Sequence, residues 1–302
     1  GAVDASWMDT SEDGRFLVTA TFSDCRLWDT ESQRELFVVP TEAHKSGLPR
    51  VFFGPHDDGI IYSRGGEGTF RYALKKGPGD DGIATIIGVG PQQPTLVSRV
   101  ANLVSVGEDK QSWLIRGHKN NPEIWPAGNP EQAKTMPPDR GYLSISPDAH
   151  WIATTPQPPT VMEIWDTASR RKVFTSKSHR VWLTSFSPDG KWLVGTGADG
   201  HVVWETGNWK QAFHFQHEGG GNATFAQGGR LMALVRGLGE VQLYAMPEAR
   251  CLIQLQPPQP LLGAVIKLRE DGNRLWLLTQ GNRVFEWDLA KLRQELAARG
   301  LN

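Results

Sequence analysis

Ser187-Pro188-Asp189-Gly190-Lys191-Trp192-Leu193-Val194, followed by Val202-Val203-Trp204-Glu205-Thr206, decides the fold of this chain. The order is an apolar strand, a Ser-Pro-Asp turn, a second apolar strand, and a third strand closing on Trp and an acid. The same order stands at Ser146-Pro147-Asp148-Ala149-His150-Trp151-Ile152-Ala153, ending in Glu163-Ile164-Trp165-Asp166-Thr167. Weaker copies run from Ser11-Glu12-Asp13-Gly14 to Trp28-Asp29, and from Glu270-Asp271-Gly272 to Trp287-Asp288. An eroded copy ends at Trp125, and two more end in Tyr72 and Tyr244. The closing aromatics are therefore Trp28, Tyr72, Trp125, Trp165, Trp204, Tyr244 and Trp287, spaced by 44, 53, 40, 39, 40 and 43 residues. Internal repetition at such a period signals stacked or radial units, each too thin to be stable alone. Seven units follow.

Within unit five the pattern predicts strands at Val181–Phe186, Lys191–Gly195, His201–Glu205 and Gln211–Phe215. Asp189-Gly190 and Asp199-Gly200 make the turns, because Gly accepts positive φ and Asp bonds its own backbone. Four short antiparallel strands per unit, packed radially, cover one another's faces and leave only short edges. The recurring Trp and Tyr supply large apolar area together with a polar group that needs a partner. The one long interval holds the Gly/Pro-rich stretch Lys75 to Pro94, read as a loop insertion between units two and three. The first strand is expected at Val3–Met8.

The Trp-Asp endings, Ser-Pro-Asp-Gly turns and repeat length resemble the WD40 family over essentially the whole chain. The resemblance implies an all-β fold: a seven-bladed WD40-type β-propeller spanning 1–302. In that family a His, a Ser/Thr, an Asp and the Trp form a structural hydrogen-bond tetrad. Unit five matches it best, with His179, Thr196, Asp199 and Trp204, while unit one offers Asp24 and Trp28. The family binds partners on the face formed by the d–a and b–c loops around the central channel. Here that face is expected to carry Arg64, Arg140, His179, Arg180, Trp182 and Arg236. Arg and Trp dominate interface hot spots, although Trp182 also suits plain packing between blades.

After Trp287-Asp288, Leu289, Leu292 and Leu296 recur at helical spacing and Gly300 suits a C-cap, so a short helical tail is expected over 289–301. This ending resembles the WD40 tails of large bacterial signalling proteins such as serine/threonine kinases; no kinase catalytic motif is present.

The 302 residues carry a net charge of -1, with no basic stripe, so nucleic acid is not an expected partner. Two cysteines, Cys25 and Cys251, form no CxxC, and no thiolate metal site is read. No apolar run reaches membrane-spanning length and no signal peptide is read at Gly1-Ala2-Val3-Asp4, so a cytoplasmic location is expected, subject to any upstream membrane segment. Gly195-Thr196-Gly197-Ala198-Asp199-Gly200 matches GxGxxG, but the strand that follows fails the helix requirement of a dinucleotide site. His214 and His217 lack a metal-ligand pattern. Asp148, Asp189 and Asp271 occupy equivalent turns, so structural use outweighs catalysis.

The reading is a non-catalytic, protein- or peptide-binding propeller without cofactor or metal, the scaffold or sensory module of a larger bacterial signalling protein, tethered to an upstream domain. Two other readings remain open from the sequence: a metal-dependent hydrolase or lactonase hosted by the propeller, and a structural spacer or oligomerisation domain.

Overall fold

The computed structural model describes residues 7–21, 24–40, 49–64, 68–78, 84–89, 95–98, 102–106, 112–116, 121–126, 129–137, 141–156, 161–176, 180–217, 221–237, 239–257, 265–279 and 283–300. They form seven antiparallel sheets, one α-helix and two short 3-10 turns. Blade 1 holds β1 (Trp7–Thr10), β2 (Phe16–Ala20), β3 (Asp24–Asp29) and β4 (Arg34–Pro40). Blade 2 holds β5 (Arg50–Phe53), β6 (Gly59–Arg64), β7 (Gly68–Pro78), β8 (Ala84–Val89) and β9 (Thr95–Ser98). Blade 3 holds β10 (Asn102–Val106), β11 (Ser112–Arg116), β12 (Pro122–Pro126) and β13 (Lys134–Thr135). Blade 4 holds β14 (Gly141–Ile145), β15 (Trp151–Pro156), β16 (Glu163–Asp166) and β17 (Arg171–Thr175). Blade 5 holds β18 (Val181–Phe186), β19 (Trp192–Gly197), β20 (Gly200–Glu205) and β21 (Gln211–Gln216). Blade 6 holds β22 (Ala223–Ala226), β23 (Leu231–Arg236), β24 (Glu240–Ala245) and β25 (Arg250–Leu255). Blade 7 shows three strands among the described residues: β26 (Val265–Leu268), β27 (Arg274–Thr279) and β28 (Arg283–Asp288). Each of the seven closing aromatics lies in the third strand of its blade.

The innermost strands touch in sequence: β1 to β5, β5 to β10, and onward through β14, β18, β22 and β26 back to β1. The ring is therefore closed, and the chain is a seven-bladed β-propeller. Its core is divided by seam. Seven apolar clusters occur among the described residues, and each fills one junction between neighbouring blades. The closing seam between blades 7 and 1 is packed by Met8, Leu17, Trp276 and Leu278. There Asp9, buried, pairs with Lys267 Nζ of blade 7 at 3.2 Å and accepts the Phe53 N–H of blade 2 at 3.0 Å. One carboxylate thus ties three blades together.

Three readings of the sequence need correction or trimming. The stretch from Lys75 to Pro94 is not simply a loop. β7 runs on to Pro78, and β8 pairs with its far half while β9 pairs with its near half. Ile86 of β8 is buried in the same cluster as Tyr72, so the strand finds a packed face at that position despite its Gly/Pro flanks. In unit five the second and fourth strands run to Gly197 and Gln216, slightly beyond their predicted ends. The first strand is described from Trp7 to Thr10; the remainder of the predicted Val3–Met8 strand lies outside the described residues.

The tail forms α1 (Leu289–Ala298). Asp288 caps it, accepting the Lys291 N–H at 2.8 Å, which satisfies one of the unpaired donors of the first turn. Leu289 is buried, and Leu292 packs on the cluster between blades 6 and 7. Beyond the last turn Gly300 takes φ +69°, the left-handed conformation that ends helices. No helix among the described residues is long and apolar enough to cross a membrane.

Candidate functional site

The antiparallel order places every strand-a start and every b–c turn on one face of the ring, and every a–b and c–d turn on the other. The second face is consumed by its own bonding. Ser11, Ser146 and Ser187 each donate their hydroxyl to the Asp two residues on, at 2.5, 2.6 and 2.7 Å. Each hydroxyl also accepts the N–H that opens the next strand, at 2.9 Å in all three. Asp13, Asp148, Asp189 and Asp271 accept a further backbone N–H in the turn. Burial pushes the Asp189 carboxyl up, but bonds from Ser187 and Lys191 outweigh it and hold the group below its ordinary value. These carboxylates work as turn-formers.

The first face is different. Arg180 is exposed immediately before β18. Val181 pairs with Gly197 and Leu183 with Thr196, so Trp182 is an extra residue with no partner on β19. A bulge of this kind re-aims a side chain. Trp182 is half-buried and belongs to none of the apolar clusters of the described residues, unlike Trp192 and Trp204. Its carbonyl accepts the Thr155 hydroxyl of blade 4 at 3.1 Å, which fixes the bulged backbone across the seam. Arg236 ends β23 at a b–c turn, exposed and opposite Glu240. Arg64 ends β6 at the equivalent turn, opposite Gly68; its side chain, Arg140 and His179 lie outside the described residues.

The tetrad is only partly formed. Trp28 Nε1 donates to Thr19 Oγ1 at 3.1 Å across β2 and β3. Trp28 faces Leu17 in the register, so its partner stands two residues further along β2. In blade 5 Trp204 faces Leu193, and the residue two further along is Gly195. A Cβ at Gly195 would lie 2.8 Å from the Trp204 ring. Thr196 therefore does not stand where Thr19 stands. It points to the other side of the sheet and lines the central cavity. Asp199 is exposed in the b–c turn, where its carbonyl accepts the His217 N–H at 3.4 Å. In blades 3 and 6 the aromatic donors are satisfied along their own strand, at the residue two back on the same side, whereas in blade 4 the buried Trp165 Nε1 has no hydrogen-bond partner among the described residues. Trp125 Nε1 bonds Glu123 at 2.8 Å and Tyr244 Oη bonds Gln242 at 2.5 Å.

Two features escape sequence reasoning. His201 is fully buried at the b–c turn of blade 5. Its Nδ1 lies 2.7 Å from His217 Nε2 and its Nε2 lies 3.2 Å from the Gly221 carbonyl. Burial, then the neighbouring His217, push its pKa down to about 3, so the His201 imidazole is neutral at pH 7. The second feature is the channel itself, a cavity of about 150 Å³ where the inner strands converge. Arg50 starts β5 at the mouth on the same face as Arg180, is only 9% exposed, and has its guanidinium 3.7 Å from the centre of the Trp7 ring. Nothing in a repeat pattern reports a buried charge that no carboxylate pairs among the described residues. The GxGxxG stretch spans the β19–β20 hairpin, strand to strand, and offers no helix N-terminus. Among the described residues no three His, Cys, Asp or Glu side chains gather as a metal site.

No family model and no curated protein sequence matches this chain. Among solved structures it is similar to the β-propeller domain of Cps50 (Swd1) from Myceliophteria thermophila. The TM-score is 0.68 over 95% of this chain and 97% of that one, at 11% identity. The likeness supports a WD40-type propeller fold.

Proposed function

We propose that this chain is a non-catalytic propeller that captures a protein or peptide on the face carrying the strand-a starts and b–c turns. The observation that carries the reading is the asymmetry of the ring. One face spends its turn hydroxyls and carboxylates on its own backbone, whereas the other presents Arg180 beside a bulged, half-buried Trp182. That pairing combines area with directed polar contact, the character of interface hot spots. The similarity to another propeller domain supports the fold on which the reading stands. In the same proposal the module is the scaffold or sensory part of a larger bacterial signalling protein, tethered to a further domain.

The test is a pull-down from native lysate comparing the intact protein with Arg180→Ala/Trp182→Ala, the variant first shown to keep the parent's unfolding midpoint. A partner retained by the parent and lost by the folded variant supports the reading. Equal retention moves the interface elsewhere and overturns it.

A further inference from the structure

Arg50 is an anomaly in the channel. Its side chain is nine-tenths buried, and among the described residues no carboxylate pairs with it; its one neighbour of note is the Trp7 ring under the guanidinium. Burial lowers its pKa only to about 10, with Tyr142 close enough to oppose that effect, so it remains a cation at neutral pH. A buried charge without a counter-ion is unfavourable unless something compensates it. The other charges on the cavity wall do not. Asp9 is committed to Lys267 at 3.2 Å and to the Phe53 N–H at 3.0 Å, so among the described residues the wall carries two cations to one carboxylate. The Trp7 indole N–H is also buried without a hydrogen-bond partner. Hydroxyls of Ser105, Tyr142, Ser185 and Thr224 come from the same wall.

We propose that the channel mouth at Arg50 is a binding site for one small oxyanion. A guanidinium presents a planar fork of donors suited to paired oxygens. Stacking on Trp7 fixes the plane of that fork, so little side-chain freedom is lost on binding. The size of the cavity selects the ligand class. Pockets for drug-sized molecules run from roughly 300 Å³ upward, and 150 Å³ is half of that. A phosphate-sized group fits this limit, either as a free ion or as the phosphorylated side chain of a docked partner. The two sources share the same chemistry at Arg50. The site does not depend on capture by Arg180 and Trp182, although it opens on the same face.

The experiment is calorimetric titration of the whole protein with inorganic phosphate at constant ionic strength, chloride serving as the reference anion. The wild type is expected to bind phosphate saturably with a stoichiometry near one and to show no such response to chloride. Arg50→Met, which removes the charge and keeps an apolar stem over Trp7, should fold and bind at least tenfold more weakly. If the methionine variant does not fold, Arg50→Lys carries the comparison: it keeps the charge, loses the fork, and should bind at least threefold more weakly. N-acetyl-phosphoserine amide, titrated in parallel, separates the sources. Tighter binding than phosphate points to a partner's side chain, and weaker binding to the free ion. A wild type whose phosphate response does not exceed chloride, or a folded Arg50 variant that binds as well as wild type, overturns the proposal. Arg180→Ala/Trp182→Ala should leave phosphate affinity unchanged, so failure of partner capture and failure of the anion site are read apart.

Discussion

Lowering the pH from 7 to 5 should weaken the propeller through one residue, His201. The folded protein keeps this imidazole neutral, with its pKa pushed from 6.5 to about 3. Above pH 6.5 neither the folded nor the unfolded chain protonates it, and there is no penalty. Below 6.5 the unfolded chain takes up a proton that the folded chain refuses, so stability falls with pH until about 3, where the folded state titrates as well. Each pH unit in that window is about 1.4 kcal/mol, so the span from 6.5 to 5 removes about 2 kcal/mol, a large part of ordinary stability. The measurement is urea unfolding at pH 7 and pH 5 for the wild type and for His201→Gln. Glutamine offers one donor and one acceptor to Gly221 and His217 but does not titrate. The wild type should lose about 2 kcal/mol more than the variant across the interval. Asp29 and Asp189 are held below their ordinary values by Arg15 and by Ser187 with Lys191, outweighing burial. Their contribution is lost only as pH falls below the ordinary carboxylate range, and it cancels between the two proteins. An equal loss in both would refute the assignment of a neutral, buried His201.

Two further pairs of substitutions test the packing. A Cβ at Gly197 would come 1.8 Å from the Arg180 carbonyl oxygen, whereas one at Gly207 meets nothing within 4 Å but must adopt φ +92°. Gly197→Ala should therefore cost about 3 kcal/mol in urea unfolding and Gly207→Ala only about 1 kcal/mol; the reverse order would contradict the close approach of β18 and β19. Leu289→Ala removes a buried side chain from the seam of blades 6 and 7 and should cost about 3 kcal/mol. Leu296→Ala, half-exposed on the same helix, should cost less than half of that by the same assay.

The parts of this fold that the sequence shows are those written in local chemistry. Ser-Pro-Asp turns and closing aromatics each declare themselves within a few residues, and the Leu spacing after Asp288 declares the helix. What escapes depends on register or on distance. A strand has period two, so one residue of slip turns a side chain to the opposite face. That slip separates Thr196, which lines the channel, from Gly195, which meets Trp204. The bulge at Trp182 is a single unpaired residue with no compositional mark. Gly77 and Pro78 read as a loop, yet they finish a strand whose far half acquires its own partner in β8. The isolation of Arg50 is a property of residues far apart in sequence. The parts of the candidate site that rest on Arg140 and His179 fall outside the described residues.

The self-bonded Ser-Asp turns have a consequence for engineering. Because the Ser-Asp bonds close within six residues, each such turn is a local clasp, and neighbouring turns are further tied across blades 1 and 2 by Glu12 N–H to Asp57 and across blades 6 and 7 by Gly228 N–H to Glu270. Loops on the upper rim share none of those bonds. Foreign segments spliced into the upper b–c turns should be carried by a frame that does not register their presence, which makes the ring a seven-position display scaffold with one side fixed and the other open to replacement.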